Sequence, residues 1–203
     1  MTTPARQPSP LSTAPLGYCT NVHAGASLQQ TRENLAWHAV AVRERFSPSA
    51  PMGVGLWLSA ATAAELAEDS RAMDEFAAWL SDHGLLPYTL NGFPYGDFHQ
   101  AVVKHAVYLP TWAEPSRRDY TLTLIRILDR LLPPGVQGSI STLPLAWGSP
   151  PPGSEFLSAC AGQLLQVAQE LQKLENESGR RITVCLESEP GCVLQRSADM
   201  VRF

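Results

Sequence analysis

The chain has 203 residues, 44% of them hydrophobic and 17% charged, a size and balance suited to one large domain with a buried core. A net charge of −4 with no basic cluster argues against a general nucleic-acid binder. No stretch approaches the roughly 18 consecutive apolar residues of a membrane span.

Residues 1–15, "MTTPARQPSPLSTAP", are rich in Pro, Ser and Thr without an apolar run. They predict a disordered leader and not a signal peptide, leaving 16–203 as one domain. From residue 16 one rhythm repeats: a short strand, a turn, an amphipathic helix. The predicted strands are "LGYCTNVH" from 16, "MGVGLWLS" from 52, "LLPYTLNG" from 85, "VQGSIST" from 136 and "RITVCLE" from 181. The first helix starts after Ser27 as cap, with Leu28, Leu35, Trp37, Val40 and Val42 as its apolar positions. Next comes one kinked helix or two short ones, stopped at Gly84. A third helical stretch opens near Pro115 and ends at Pro133-Pro134-Gly135, and a fourth ends at Gly179. Cys19, Cys160, Cys185 and Cys192 lack close metal-type pairing, which predicts reduced thiols in the cytoplasm.

Alternating strands and helices imply an α/β fold with parallel strands. Two architectures fit: a parallel (β/α) TIM barrel represented by about five units, or a five-stranded doubly wound sheet. Side-chain parity favours the barrel. A doubly wound sheet is apolar on both faces, whereas a barrel strand turns one face to the helices and the other inward. The predicted polar series are Cys19, Asn21 and His23 on the first strand, Thr89 and Asn91 on the third, and Thr183, Cys185 and Glu187 on the fifth. Ser139 and Ser141 supply the fourth, less cleanly because Thr142 shares its other side. Barrel chemistry gathers at the carboxyl ends of the strands, so Glu187 is expected at the mouth, joined by Glu189 if the strand stays extended.

The motifs "GYCTNVHAG", "LNGFPYGDFH", "VVKHAVYLPTW", "GSISTLPLAW" and "LESEPGC" together resemble the EboE family of metabolite traffic proteins, within the xylose-isomerase-like (sugar phosphate isomerase/epimerase-like) barrel group. The resemblance runs from about Leu16 to Cys192 and covers the N-terminal half of such a barrel, without its last three strands. It implies a role in making or moving a secondary-metabolite precursor, alongside other proteins of one gene cluster. It also implies that Glu187, in "CLES", holds a divalent metal. The chain departs from the family pattern at Gln100, where glycine is expected, and at Thr111, where an acid is expected.

The candidate site residues follow. Glu187 and Glu189 offer oxygen ligands to Mg²⁺ or Mn²⁺, or to Zn²⁺ with histidine partners. His23 is a base or ligand at the end of the first strand, with Asn21 beside it. Asn91 is a substrate-orienting amide or half of an Asn-Gly turn. Trp57 stacks on a ligand ring or packs in the core. The connection from Gly92 to Trp112 is long, and its Tyr95, His99, Lys104, His105, Tyr108 and Trp112 suit a lid over a polar, partly aromatic metabolite. Lys104 is placed to steady an enolate or an anionic group. There is no "GxxxxGK[ST]", no "GxGxxG" after a strand and no "GxSxG", so no nucleotide cofactor is expected. The expected activity is a metal-dependent isomerisation or epimerisation, or else metabolite binding without turnover. A chain reduced to five barrel strands is expected to be inactive alone.

Overall fold

A computed structural model describes residues 17–99 and 104–203. The strands are β1 (Gly17–Cys19), β2 (Met52–Trp57), β3 (Leu85–Asn91), β4 (Gly138–Thr142) and β5 (Ile182–Leu186). After β1 come a 3₁₀ turn (Thr20–Val22) and α1 (Leu28–Asn34), which continues through a π-helical stretch (Leu35–Val40) into α2 (Ala41–Phe46). Then follow α3 (Ala60–Glu68), α4 (Ser70–Asp82), a 3₁₀ turn (Lys104–Tyr108), α5 (Pro115–Leu131), α6 (Ser154–Ser178) and α7 (Ser197–Arg202). The predicted leader, Leu16, Gln100 and the side chain of Lys104 lie outside the described part. Among the described residues, no helix is long and apolar enough to cross a membrane.

Local chemistry sets the helix ends. Ser27 and Gln30 form a reciprocal capping box at the start of α1. Asp69 accepts from the amides of Arg71 and Ala72, so of the two alternatives for this stretch the chain takes two short helices, α3 and α4. Gly179 closes α6 at φ 69°, a conformation that favours glycine.

All five strands are parallel, in the order β1-β2-β3-β4-β5. The chain is therefore α/β with a five-stranded parallel sheet, a feature that both expected architectures share. Val54, Leu56, Leu90 and Ile140 are buried on one face beneath the helices. Cross-strand register lays two rows across the other: Cys19, Gly55, Thr89, Ser139 and Thr183, then Trp57, Asn91, Ser141 and Cys185. Thr89 Oγ1 and Ser139 Oγ lie 2.8 Å apart within the first row. Cys19, Thr183 and Cys185 on this face are exposed.

Three sequence expectations need correction. The first strand stops at Cys19 and not at His23, because Thr20 leaves the ladder. Its Oγ1 donates to Gly55 O (3.1 Å) and accepts from Trp57 N (3.0 Å), so a side chain takes the place of backbone pairing. On β3 the register slips between the Val54–Pro87 and Gly55–Thr89 pairs, leaving Tyr88 as an extra residue. Parity read straight through that strand therefore fails at Tyr88, whose hydroxyl sits 3.1 Å from where a Cβ on Gly17 would lie. Finally, Trp37 is 79% exposed. It lies about half a turn from the buried line of Thr31, Leu35 and Ala39, off the apolar stripe.

The connection after β3 is pinned by Arg117, which is fully buried. Its Nη1 donates to Gly92 O (2.8 Å) and Phe93 O (2.9 Å), and its Nε donates to Pro110 O (2.9 Å). The rings of Tyr95 and Tyr120 lie 5.6 and 5.8 Å from the guanidinium carbon. Burial pushes the guanidinium down to about 10, still charged at neutral pH. Arg117→Met strands three carbonyls and is expected to cost about 3 kcal/mol in urea unfolding. Arg117→Lys, which keeps the charge and loses the fork, should fall between. A cost under about 1 kcal/mol for the methionine variant would show that the loop does not depend on this contact.

Candidate functional site

The carboxyl ends of β1 and β2 gather polar and aromatic groups. The 3₁₀ turn begins at Thr20, and its next residue, Asn21, gives its carbonyl to His99 Nε2 at 3.0 Å. Since a carbonyl only accepts, Nε2 carries the proton and His99 Nδ1 is left as an acceptor in the neutral ring. Both Nδ1 of His99 and Oδ1 of Asn21 are buried without a hydrogen-bond partner among the described residues. Trp57, 3% exposed, lies edge-on to Phe98 (4.7 Å) and His99 (6.1 Å) and donates from Nε1 to Pro94 O. Asn21, Trp57 and His99 are thus brought together, with Trp57 a packed wall and not a free ring.

His23 sits elsewhere than expected. The turn at Thr20–Val22 breaks the alternation that would have pointed it inward. Its Nε2 is 2.6 Å from the hydroxyl of Tyr18, and its ring stacks on His38 of the π-helical stretch at 4.1 Å and 10°. Tyr18 pairs in register with Val54, on the helix-covered face. Burial lowers the His23 pKa from its ordinary 6.5, with His38 and His99 adding to the effect. Burial likewise raises that of Tyr18, with a smaller contribution from Cys19.

The other candidates separate. Asn91 lies in register with Trp57 and Ser141, but its Oδ1 accepts from Phe93 N at 2.9 Å, which makes it a turn former. Tyr95 packs against Tyr120 at 5.1 Å. His105 is exposed and leans on Trp147 at 4.2 Å, with Tyr108 at 6.4 Å. β5 ends at Leu186; Glu187 donates its amide to Thr142 O and exposes its side chain. Glu189 does not continue the strand. Its amide donates to Leu194 O, and its Oε2 accepts from Cys192 Sγ at 3.8 Å. Burial pushes the Cys192 thiol up to about 11, and also raises the phenol of Tyr108.

Sequence reasoning passed over Thr20, His38, Phe98 and Arg117. A visible signal existed for Arg117: a cation in the first turn of a helix opposes the helix dipole and needs another reason to be there. For Thr20 there was none, since both its partners come from another strand.

Among the described residues, no group of three or more His, Cys, Asp or Glu side chains could hold a metal ion, and Glu187 and Glu189 belong to none. Cavities of 360 Å³ beside Val136, Arg180 and Arg181, and of 410 Å³ beside Gly84, Leu85 and Leu132, lie at the amino ends of the strands. Arg180 and Arg181 already pair with Asp129 and Glu175, each at 2.9 Å, so these cavities are remote from the polar groups described above.

No family model matches this chain, and neither a curated protein nor a solved structure does.

Two measurements check this geometry. Thr20→Val removes both hydroxyl bonds and is expected to cost about 2 kcal/mol in urea unfolding, with Thr20→Ser retaining most of the stability. The four cysteines are free, two exposed and two buried. A thiol-alkylating reagent should modify Cys19 and Cys185 in the native protein, as read by peptide mass spectrometry. It should spare Cys160 and Cys192, whose thiols burial raises to about 12 and about 11.

Proposed function

We propose that this chain binds a small hydroxylated metabolite at the carboxyl-terminal edge of its sheet, as an EboE-like protein built from successive (β/α) units of a xylose-isomerase-like barrel. Strand order supports the barrel reading. It steps one way from β1 to β5, whereas a doubly wound sheet reverses at a switch point. The face opposite the helices carries small and polar side chains, as a barrel interior does.

The observation that carries the binding reading is the pair of buried acceptors without partners, Asn21 Oδ1 and His99 Nδ1. Buried polar atoms are rarely left unpaired, because each unmade bond costs about 1–3 kcal/mol. Two acceptors call for a ligand that donates, and hydroxyl groups do so without bringing a charge. Trp57 and Phe98 give such a ligand an apolar wall. The free thiols suit a reducing compartment, so we place the protein in the cytoplasm. Handing the metabolite to partners needs no turnover.

The test is an NMR titration with neutral sugars, hydroxy acids and phenolic glycosides, followed at the Trp57 indole and the His99 ring. At least one class should shift both signals, and Asn21→Ala and His99→Ala should each weaken its binding about tenfold. A panel that leaves both signals still, or binding indifferent to both variants, overturns the reading. Affinity lost on chelation, and in Glu187→Gln, would point to the metal-dependent alternative.

A further inference from the structure

We propose that the stacked imidazoles of His23 and His38 form a pH-sensitive latch on the Thr20–Val22 turn, closed when neutral and released when protonated. Among the described residues, three side-chain contacts tie the turn and the residue after it to their surroundings. Thr20 bonds to β2, His99 holds the Asn21 carbonyl, and His23 is clamped between the Tyr18 hydroxyl and the His38 ring. The Thr20 bonds are indifferent to charge on His23, and His99 senses it only through space. The stacked contact with His38 senses it directly. Parallel rings with centroids 4.1 Å apart stack well when neutral and repel when both are charged. The titratable groups facing His23 are Tyr18 from β1, His38 from the π-helical stretch and His99 from the connection after β3. None of them is an acid that would steady a second positive charge. A π-helical stretch is itself an uncommon distortion, found most often at functional sites, and here it presents His38 to this contact.

The sign follows from proton linkage. In the closed form the His23 pKa lies below its ordinary 6.5, so the released form binds more protons in the interval between the two values. Release is then favoured as pH falls through that interval and reversed as pH rises. Because the turn carries Asn21, release would withdraw one of the two acceptors from an incoming ligand. That consequence rests on the function proposed above, but the structural transition does not, and it is tested without any ligand.

The experiment is a pH titration of the full chain by histidine-selective and backbone-amide NMR. In the native protein His23 should titrate below 6.5, and the Asn21 amide and Trp57 indole signals should move with its midpoint. In His38→Gln, a change at an exposed ring, the His23 midpoint should return toward 6.5. The accompanying movement of Asn21 should shrink at least twofold. The latch is overturned if His23 of the native protein titrates at its ordinary value, or if Asn21 and Trp57 fail to follow it. An unchanged midpoint in His38→Gln also overturns it. Failure of the ligand titration with this transition intact would reject the metabolite reading alone.

Discussion

Four consecutive carbonyls, Gly92 to Tyr95, decide how the carboxyl edge of this sheet is built. Arg117 takes the first two, Trp57 Nε1 and the Tyr120 hydroxyl converge on Pro94, and the Ala60 amide takes Tyr95. The hydroxyl of Tyr120 leans more strongly on Leu58 O at 2.6 Å than on Pro94 O at 3.3 Å. A connection that leaves a strand normally runs over the surface because its backbone needs water. This one is held inward because side chains supply what water would have supplied. Once it is fixed, Phe98 and His99 are carried to the wall of Trp57, and His99 reaches the turn after β1.

The main unusual element is a buried charge, that of Arg117, with no carboxylate bonded to it among the described residues. Glu114 acts on the guanidinium only through space, and the group's bonded company is carbonyl oxygen beside two phenol rings. Dipoles and ring faces solvate a guanidinium better than they would an ammonium, since the charge is spread and the donors are planar. Burial still lowers its pKa, so the site is a compromise between desolvation and hydrogen bonding in which bonding wins at neutral pH. Nη2 is buried and has no bond partner among the described residues, which locates the unmet part of that compromise.

Much of the fold was legible because local chemistry and tertiary structure agree. Ser27 with Gln30, Asp69, Pro115 and Gly179 mark helix ends where the chain needs them, and the alternation of β2 and β5 survives in the sheet. Legibility failed where a distant partner decides a local conformation. Nothing near Thr20 in sequence indicates that its hydroxyl will bond to β2 and end the first strand. The extra residue at Tyr88 is likewise accommodated by the space above Gly17. The site was half legible for the same reason. Asn21, Trp57 and His99 could be named from strand ends and loop composition. The reversal of His23 could not, because it follows from the turn that Thr20 imposes. Glu187 was placed at a strand end correctly, yet a strand end alone does not gather ligands around it.

Burial is not shared evenly across the sheet, and this bears on which parts of it can be rearranged. Val54 and Leu56 on β2 and Ile140 on β4 are fully buried, while Val184 and Leu186 on β5 are only partly covered. Above β5, α6 buries only Cys160 and Val167 of its 25 residues and leaves Leu165 exposed. Apolar stabilisation scales with area removed from water, so the middle of the sheet contributes most per residue. At the β1 edge the strand is three residues long, and a short edge strand offers little ladder to hold it. Side-chain bonds from Thr20, His23 and His99 therefore carry a larger share of the local free energy there than they would in the centre. A turn held that way can respond to the protonation of one ring. The same ring placed against β2, under fully buried aliphatic packing, would meet far greater resistance to any movement.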